Sequence, residues 1–508
     1  MKKQFFRFAT LLALLLLASC ETNQTIVNNI SEREANEIVV FLASKGVEAQ
    51  KVVAPTTGVG GGAAQPHNAP VRSAGGYARY VLGVMVAINF LNYMDRYVGA
   101  AASPLIQKEF GLDDTQVGLL GSAFLLVYAV AAVPFGYWAD RGIRKIVIGT
   151  GVAVWSVATL FTGFSRNFAH LFTTRAVLGI GEAGYYPAGT SLLSDYFPKE
   201  QRGRVMSIWG VGSTIGIAVG FAGGGYIADK FGWRDAFFFA AVPGLICALL
   251  AFTMREPLRG STEARGPAVE KTYDASLSRM VGLLKIPTLR ATIFSQTLLY
   301  FVLASNAFWL PILLTRRFGM SVSGAGLLAG VVIVLGGLIG TLGGGWISDH
   351  LGKTNPKAYL QVGIAGFLVG AVFIVVALLA PLSAGPIPIF VPAFLIGVVA
   401  IYLYSGPFTA LSQAVVSPAL RASSVTVLLF VSHVFGDSHS TFDIGVLSDH
   451  IGSLQTALLI TSPTLLVIAA VIAATGLSHV KRDVEAMEDE WASRPAEPAL
   501  AGAAPTGR

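Results

Sequence analysis

Charge is what this sequence has least of: Asp, Glu, Lys and Arg make up 13% of 508 residues, against roughly 25% in an ordinary soluble domain. A soluble globule cannot be covered with so few charges. Cysteine is nearly missing as well, and Cys20 and Cys247 alone exclude a disulfide framework. Cys247 lies in an apolar run and reads as a small core residue rather than a reactive thiol. What the chain has instead is 53% hydrophobic residues and 57 glycines without a Gly-X-Y period, which excludes collagen-like and disordered chains. A polytopic membrane protein remains, with room for a dozen spans of about 20 residues. The net charge of +7 then belongs to loops that set topology, not to a nucleic-acid surface.

The start of the chain is different in kind. Lys2, Lys3 and Arg7 precede a short apolar stretch that ends in Leu17-Ala18-Ser19-Cys20, the layout of a secretory signal. The ending resembles a bacterial lipoprotein signal and makes Cys20 a candidate lipidation site. Residues 21–53 are soluble-like, and Ser31 is placed to cap a short amphipathic helix at Glu32-Arg33-Glu34. This segment, through Glu37, resembles the beginning of the inner-membrane ring lipoprotein of type III secretion systems. Residues 54–79, with Gly60-Gly61-Gly62, read as a flexible linker.

Apolar segments then fall at 80–102, 115–138, 146–165, 169–192, 204–226, 235–254, 290–314, 322–347, 358–380, 387–412, 421–446 and 454–476. They predict an all-α membrane protein of twelve transmembrane helices. A polar connector at 255–289 divides a first half (80–254) from a second (290–476), and a tail follows at 477–508. A motif, Gly-x-x-small-Asp, recurs at Gly136–Asp140, Gly225–Asp229, Gly345–Asp349 and Gly445–Asp449. It ends the second, fifth, eighth and eleventh spans. A three-helix unit present four times is the trace of nested repeats that build alternating-access carriers.

Basic residues fix the orientation. Of 36 Lys and Arg, 22 fall in loops on the side of the two ends of the helical body and six on the other. The positive-inside rule makes both ends cytoplasmic in a bacterial inner membrane. A processed Cys20 would instead leave residues 21–79 outside, and the charge bias of the body takes precedence.

An ionisable group at mid-bilayer costs about 2.5 to 3.5 kcal/mol on insertion scales, so each needs a reason. Span 1 carries Asp95 and Arg96, and span 4 carries Arg175 and Glu182, seven residues apart on one face. Asp95 and Arg96 point about 100° apart and cannot share a partner. The economical arrangement sets Arg96 or Arg175 opposite Glu182 across a water-filled cavity, with Asp95 tied to a polar neighbour. A carboxylate in low dielectric can load a proton, and an arginine beside it can hold an anion. Together they form a candidate site for proton coupling and substrate, against a purely structural salt bridge. Gly179, Gly181, Gly184 and Pro187 around Glu182 are expected to thin the wall where a ligand approaches.

Gly212, Gly216, Gly220 and Gly224 in span 5, and Gly336, Gly340 and Gly344 in span 8, form smooth stripes expected to pack and to let helices slide. After span 2, Asp140, Arg141, Arg144 and Lys145 anchor topology and make a candidate cytoplasmic gate. His433 and Asp437, with His439 and Asp443, form a candidate polar site in span 11, whose spacing fits no zinc site. No cofactor or metal is implied.

Gly136-x-x-Ala-Asp140-Arg141 with Arg144-Lys145 resembles the signature of the major facilitator superfamily, which implies the major facilitator fold of two six-helix halves. Asn92-Tyr-Met-Asp-Arg96, Gly179-Ile-Gly-Glu-Ala183, Arg255-Glu-Pro-Leu-Arg-Gly260 and His433-Val-Phe-Gly-Asp437 are similar to the Spinster family. Two positions depart from the pattern: Ser440-Thr441 where Ser-Pro is usual, and Phe221 where antiporters carry proline. The resemblance implies a monomeric, proton-coupled carrier of a lipid-like amphiphile such as a lysophospholipid or sphingoid phosphate, with Asp95, Arg96, Arg175 and Glu182 as its site. Its partners are that substrate, protons and membrane lipids, with no nucleic acid. An organic-anion or sugar-acid symporter is the alternative. A structural secretion lipoprotein would need soluble ring-forming domains that are missing here. A membrane enzyme would need a nucleophile elbow, a His-Glu-x-x-His motif or a P-loop, and none is present.

Overall fold

A computed structural model describes residues 75–259, 262, 282–417 and 420–492; the signal-like segment with Cys20 lies outside them. Twelve helical spans follow one another. Span 1 is Gly76–Phe110, span 2 Asp114–Arg141 and span 3 Arg144–Gly163. Span 4 is broken into Phe168–Glu182 and Tyr185–Tyr196. Spans 5 and 6 are Lys199–Phe231 and Trp233–Thr253. In the second half, span 7 is Pro287–Phe318, span 8 Val322–Gly352 and span 9 Ala358–Leu379. Span 10 runs through Val391–Tyr402 and Ser405–Ala414, span 11 from Arg421 to Ile451, and span 12 is Leu454–Gly476. An amphipathic helix, Val480–Ala492, follows.

Span 1 opens at Gly76, inside the segment expected to be linker. At 35 residues it is about 52 Å long, more than the roughly 30 Å hydrocarbon core, so its ends project into polar surroundings. Nine of the spans are long and apolar enough to cross a membrane unaided. The other three are spans 1, 4 and 11, which carry Asp95-Arg96, Arg175 and Glu182, and the His433–Asp443 cluster.

An even number of crossings puts Gly76 and the final helix on one face, here the tail face; the opposite is the far face. On the far face spans 1 and 7 both end on a left-handed glycine, Gly111 (φ 61°) and Gly319 (φ 62°), an early sign of the twofold repeat. Packing repeats with it: spans 1–5, 3–6, 2–4 and 3–4 pair in the first half as spans 7–11, 9–12, 8–10 and 9–10 do in the second. The halves meet chiefly through two equivalent pairs, span 2 with span 11 and span 5 with span 8, and span 1 also touches spans 7 and 8.

The glycine stripes pack, but within the halves and not between them. Gly212, Gly216, Gly220 and Gly224 each face span 1, at Val86, Phe90, Met94 and Val98 in turn, and Gly336, Gly340 and Gly344 face span 10 at Val398, Val399 and Leu403. Both stripes therefore weld one half internally. The faces between halves use other small residues: Gly225, Gly326 and Gly330 between spans 5 and 8, and Gly118 and Gly445 between spans 2 and 11. Phe221, standing where proline was expected, is fully buried against Gly326, Gly330 and Tyr97. Because a Cβ at Gly216 would collide with the Phe90 carbonyl, Gly216→Leu is expected to destabilise the first half by about 3 kcal/mol or more. A lowered midpoint of thermal unfolding in detergent checks this.

The tail helix is fastened to the second half. Asp483 accepts the Thr288 backbone N–H at 3.0 Å, capping span 7, and pairs with Arg482 at 2.9 Å. Burial pushes the Asp483 carboxyl up, yet these bonds outweigh it and hold the group below its ordinary value.

Candidate functional site

The four intramembrane charges converge between spans 1, 3 and 4. Glu182 is the last residue of the first segment of span 4, 14 residues beyond Phe168 and so about 21 Å along the axis, near mid-membrane. Its side chain is fully buried, and its Oε2 accepts from Arg96 Nε and Nη2, both at 2.7 Å. Arg96, rather than Arg175, is thus the partner of Glu182, and the pair is in direct contact instead of facing across a cavity. The Arg96 side chain keeps 21% exposure. Tyr93, Phe124 and Tyr128 surround its guanidinium with ring centroids 5.1, 5.1 and 5.2 Å from Cζ, an aromatic cage that stabilises the cation.

Asp95 points to the other side of span 1, as the 100° offset requires. Its Oδ2 accepts from Thr159 of span 3 at 3.3 Å, while Oδ1 is buried without a partner. Arg175 lies over Phe237 at 5.1 Å and fills the space where Gly99 lacks a side chain. From there it acts electrostatically on both Asp95 and Glu182. Two acids and two arginines leave the cluster neutral as a whole. One acid is directly paired with an arginine and the other is not, and each keeps one buried oxygen, Glu182 Oε1 and Asp95 Oδ1, without a partner, of the kind that calls for a functional reason.

The glycines of span 4 do not thin a ligand wall. Gly179 abuts Phe124 and Tyr128 of span 2, Gly181 abuts Gly151 and Trp155 of span 3, and Gly184 meets Phe135 and Val147. Their role is to bring span 4 close enough for Glu182 to reach Arg96. The backbone does break directly after Glu182, where the helix restarts at Tyr185.

On the tail face, Arg144 is fully buried and bonds Asp195, Glu256 (2.7 Å) and the Ser191 hydroxyl (3.0 Å). The Lys145 backbone N–H donates to Glu256, Arg259 donates to the carbonyls of Ala139 and Gly142, and Arg141 stacks on Tyr137. These partners belong to the first half and to the start of the connector after span 6. In this conformation it is a clamp joining the ends of spans 2, 3, 4 and 6, not a bridge between halves.

The bridge is on the far face, and inspection of the sequence missed it. Asp114, at the start of span 2, receives Arg316 of span 7 (2.8 Å), Gln107 (2.8 Å) and Ser448 of span 11 (2.6 Å). Asp449, the end of the fourth motif copy, accepts the backbone N–H groups of Asp114 (3.0 Å) and Thr115 (2.7 Å) and the Thr115 hydroxyl (2.6 Å). A helix N-terminus favours such a carboxylate. Gly445 abuts the Asp114 carbonyl without room for a Cβ, and Gly225 of the second copy meets Val322 of span 8 in the equivalent way. The tail-face copies differ: Gly136 and Gly345 have open space before them. Thr441, where proline is usual, bonds the Gly118 carbonyl (2.8 Å) and Ser122 in this seam. The clue in the sequence was a motif copy ending on the far face, opposite an arginine on a side otherwise poor in charge.

In span 11 the helix changes pitch at His433–Asp437, a π-turn, and resumes at Ser438 straight through Ser440-Thr441. The helix therefore does not break at Ser440-Thr441, and its irregular turn lies one to two turns earlier. His433 Nδ1 and Asp437 Oδ2 are 2.7 Å apart. Among the described residues no cluster of three His, Cys, Asp or Glu side chains could hold a metal ion.

Comparison with known proteins agrees with this architecture. Residues 85–437 match the Major Facilitator Superfamily. Protein spinster homolog 1 of Xenopus laevis is 31% identical over 394 residues, 74% of each chain. Probable sphingolipid transporter spinster homolog 3 of Arabidopsis thaliana is 28% identical over 439 residues, 77% of this chain and 83% of its own. The crystal structure of a bacterial homolog of the human lysosomal transporter Spinster, inward-facing and unoccupied, superposes with a TM-score of 0.70 at 25% identity, covering 83% of this chain and 99% of its own. The chain is an all-helical, multi-pass membrane transporter that belongs to the major facilitator superfamily and, within it, to the Spinster family.

Proposed function

We propose that this transporter moves an amphiphilic, lipid-like substrate, of lysophospholipid or sphingoid type, in exchange or in company with protons. It acts as a monomer in a bacterial cytoplasmic membrane, with the tail face cytoplasmic as the excess of basic loop residues on that face favours. The observation that carries the reading is the buried Arg96–Glu182 pair with Arg96 as its partly exposed member. An anionic headgroup that takes the guanidinium frees Glu182 to bind a proton, so occupancy and protonation are linked. Asp95 and Arg175 complete the site. The name of the Arabidopsis relative supports the substrate class.

Alternating access follows from the seams. The far-face seam, latched through Asp114, Arg316 and Asp449, parts as the tail-face copies close. Gly136–Asp140 then seats on the start of span 11 and Gly345–Asp349 on the start of span 5, by the same twofold relation. Asp140, Arg141, Arg144 and Lys145 serve this gate by holding the turn rigid. Two guanidinium groups at one site also suit a compact carboxylate, which keeps an organic-anion or sugar-acid symporter as the second reading. The test is uptake of lysophosphatidylcholine, sphingosine phosphate and glucuronate into proteoliposomes under an imposed pH gradient. Gradient-dependent uptake of a lipid is the expected result; uptake of glucuronate alone selects the second reading, and uptake of none overturns both.

A further inference from the structure

The second half contains a titratable pair that the mechanism above does not use. His433 and Asp437 sit at the two ends of the π-turn in span 11, with Nδ1 and Oδ2 at 2.7 Å. π-Turns are rare and concentrate at functional sites. This one is pinned to span 7, since Gly436 abuts the Thr297 carbonyl where a Cβ has no room. Asp437 is 7% exposed and its Oδ1 is buried with no partner. His433 keeps 39% of its side chain exposed, its ring packing edge-on against Tyr300 at 5.2 Å.

The groups around Asp437 come from four spans. Tyr97 of span 1, Tyr300 of span 7, Tyr404 of span 10 and His439 of span 11 itself act on it electrostatically. His439 is already engaged by Asp443 at 2.6 Å. Span 2 also packs on the turn, and between its charged ends it carries only Tyr128 and Tyr137 as ionisable groups, which face Arg96 and Arg141. Span 12 brings no ionisable group. His433 is therefore the titratable partner within hydrogen-bond reach of a carboxyl group that otherwise meets phenols. Tyr97, next in sequence to Arg96, is within electrostatic reach of both Arg96 and Asp437, so one phenol lies near both sites.

We propose that His433 and Asp437 form a second proton-binding site, in the half opposite the Arg96–Glu182 pair. With the imidazole neutral and the carboxylate ionised the pair carries one negative charge. One proton, entering at the exposed imidazole, makes it neutral, and no bond other than that N–H or O–H changes. Each half then holds one buried acid, Glu182 and Asp437, able to exchange a proton. This rests on the proton-coupled reading above, so the experiment scores the two sites separately.

Infrared difference spectra of the full reconstituted chain, recorded on pH jumps without substrate, show the carboxyl and imidazole groups that titrate, with aspartate distinguished from glutamate by carboxyl isotope labelling. The expected result is that Asp437→Asn removes one aspartate band, while Glu182→Gln removes a glutamate band and leaves the aspartate one. His433→Gln, which keeps the fold testable if Asp437→Asn does not, is expected to shift the remaining aspartate titration by about one pH unit, tenfold in proton affinity. Wild-type aspartate bands unaltered in Asp437→Asn, or a midpoint unmoved in His433→Gln, overturn the second site. Loss of the Glu182 band alone from the wild-type spectrum overturns the first and leaves the second standing.

Discussion

Arg316→Ala is expected to unlatch the far face. In the closed seam Arg316 binds an Asp114 carboxylate whose side chain is only 8% exposed, and both residues are joined by Gln107. Removing one member of a buried pair costs about 3 to 5 kcal/mol. Arg316 is itself 39% exposed, so water screens part of the interaction and about 2 kcal/mol is the better figure. The loss falls on the closed seam alone, because with the halves apart Asp114 is hydrated whether or not Arg316 is present. Two kcal/mol moves the balance between far-face-closed and far-face-open states about thirtyfold. Spin labels at the exposed positions Lys108 and Ser383, in a chain with both cysteines replaced by alanine, report the separation of the two halves. A longer distance should become the major population in Arg316→Ala, with a smaller gain in Asp449→Asn, which keeps one oxygen to accept the N–H groups of span 2. Distributions identical to wild type in both variants would remove the latch from the mechanism.

This latch marks where the sequence stopped being readable. Hydropathy alone located twelve spans, because a 20-residue apolar run has few meanings in a chain this poor in charge. The mid-membrane charges were legible for the same reason: Asp95, Arg96, Arg175 and Glu182 stand out against their surroundings. Which arginine meets Glu182 was not legible, since that depends on how far span 4 approaches spans 2 and 3, a distance set by Gly179 and Gly181. Period-four glycines announce a close contact but not its partner, so the stripe on span 5 could equally have faced a moving half as the fixed span 1. Asp114 and Arg316 carried little signal of their own, being charges at helix ends in short loops. Only the motif repeat pointed to them. Four copies placed Asp449 at a far-face helix end, and a carboxylate there needs a donor from the other half.

Glu182→Gln is the variant expected to change function most. The amide keeps the shape and can still accept from Arg96, so substrate exchange without a gradient continues. What it cannot do is alternate between charged and neutral forms, and the link between headgroup binding at Arg96 and proton uptake disappears. A proton carried across a gradient of one pH unit supplies about 1.4 kcal/mol, enough for roughly tenfold accumulation of a coupled substrate. In proteoliposomes loaded and diluted to set that gradient, wild-type protein should drive lysophosphatidylcholine toward the tenfold limit. Glu182→Gln should carry it only to equality, while exchange of labelled for unlabelled lipid at equal pH persists. Arg96→Ala should lose both, since it removes the anion's partner and leaves Glu182 buried against an emptied aromatic cage. If Glu182→Gln keeps gradient-driven accumulation with unchanged pH dependence, Glu182 is not the coupling acid of the first half. That role would then pass to Asp95, the other buried intramembrane carboxyl of the first half, whose Oδ1 has no partner and whose Oδ2 meets Thr159.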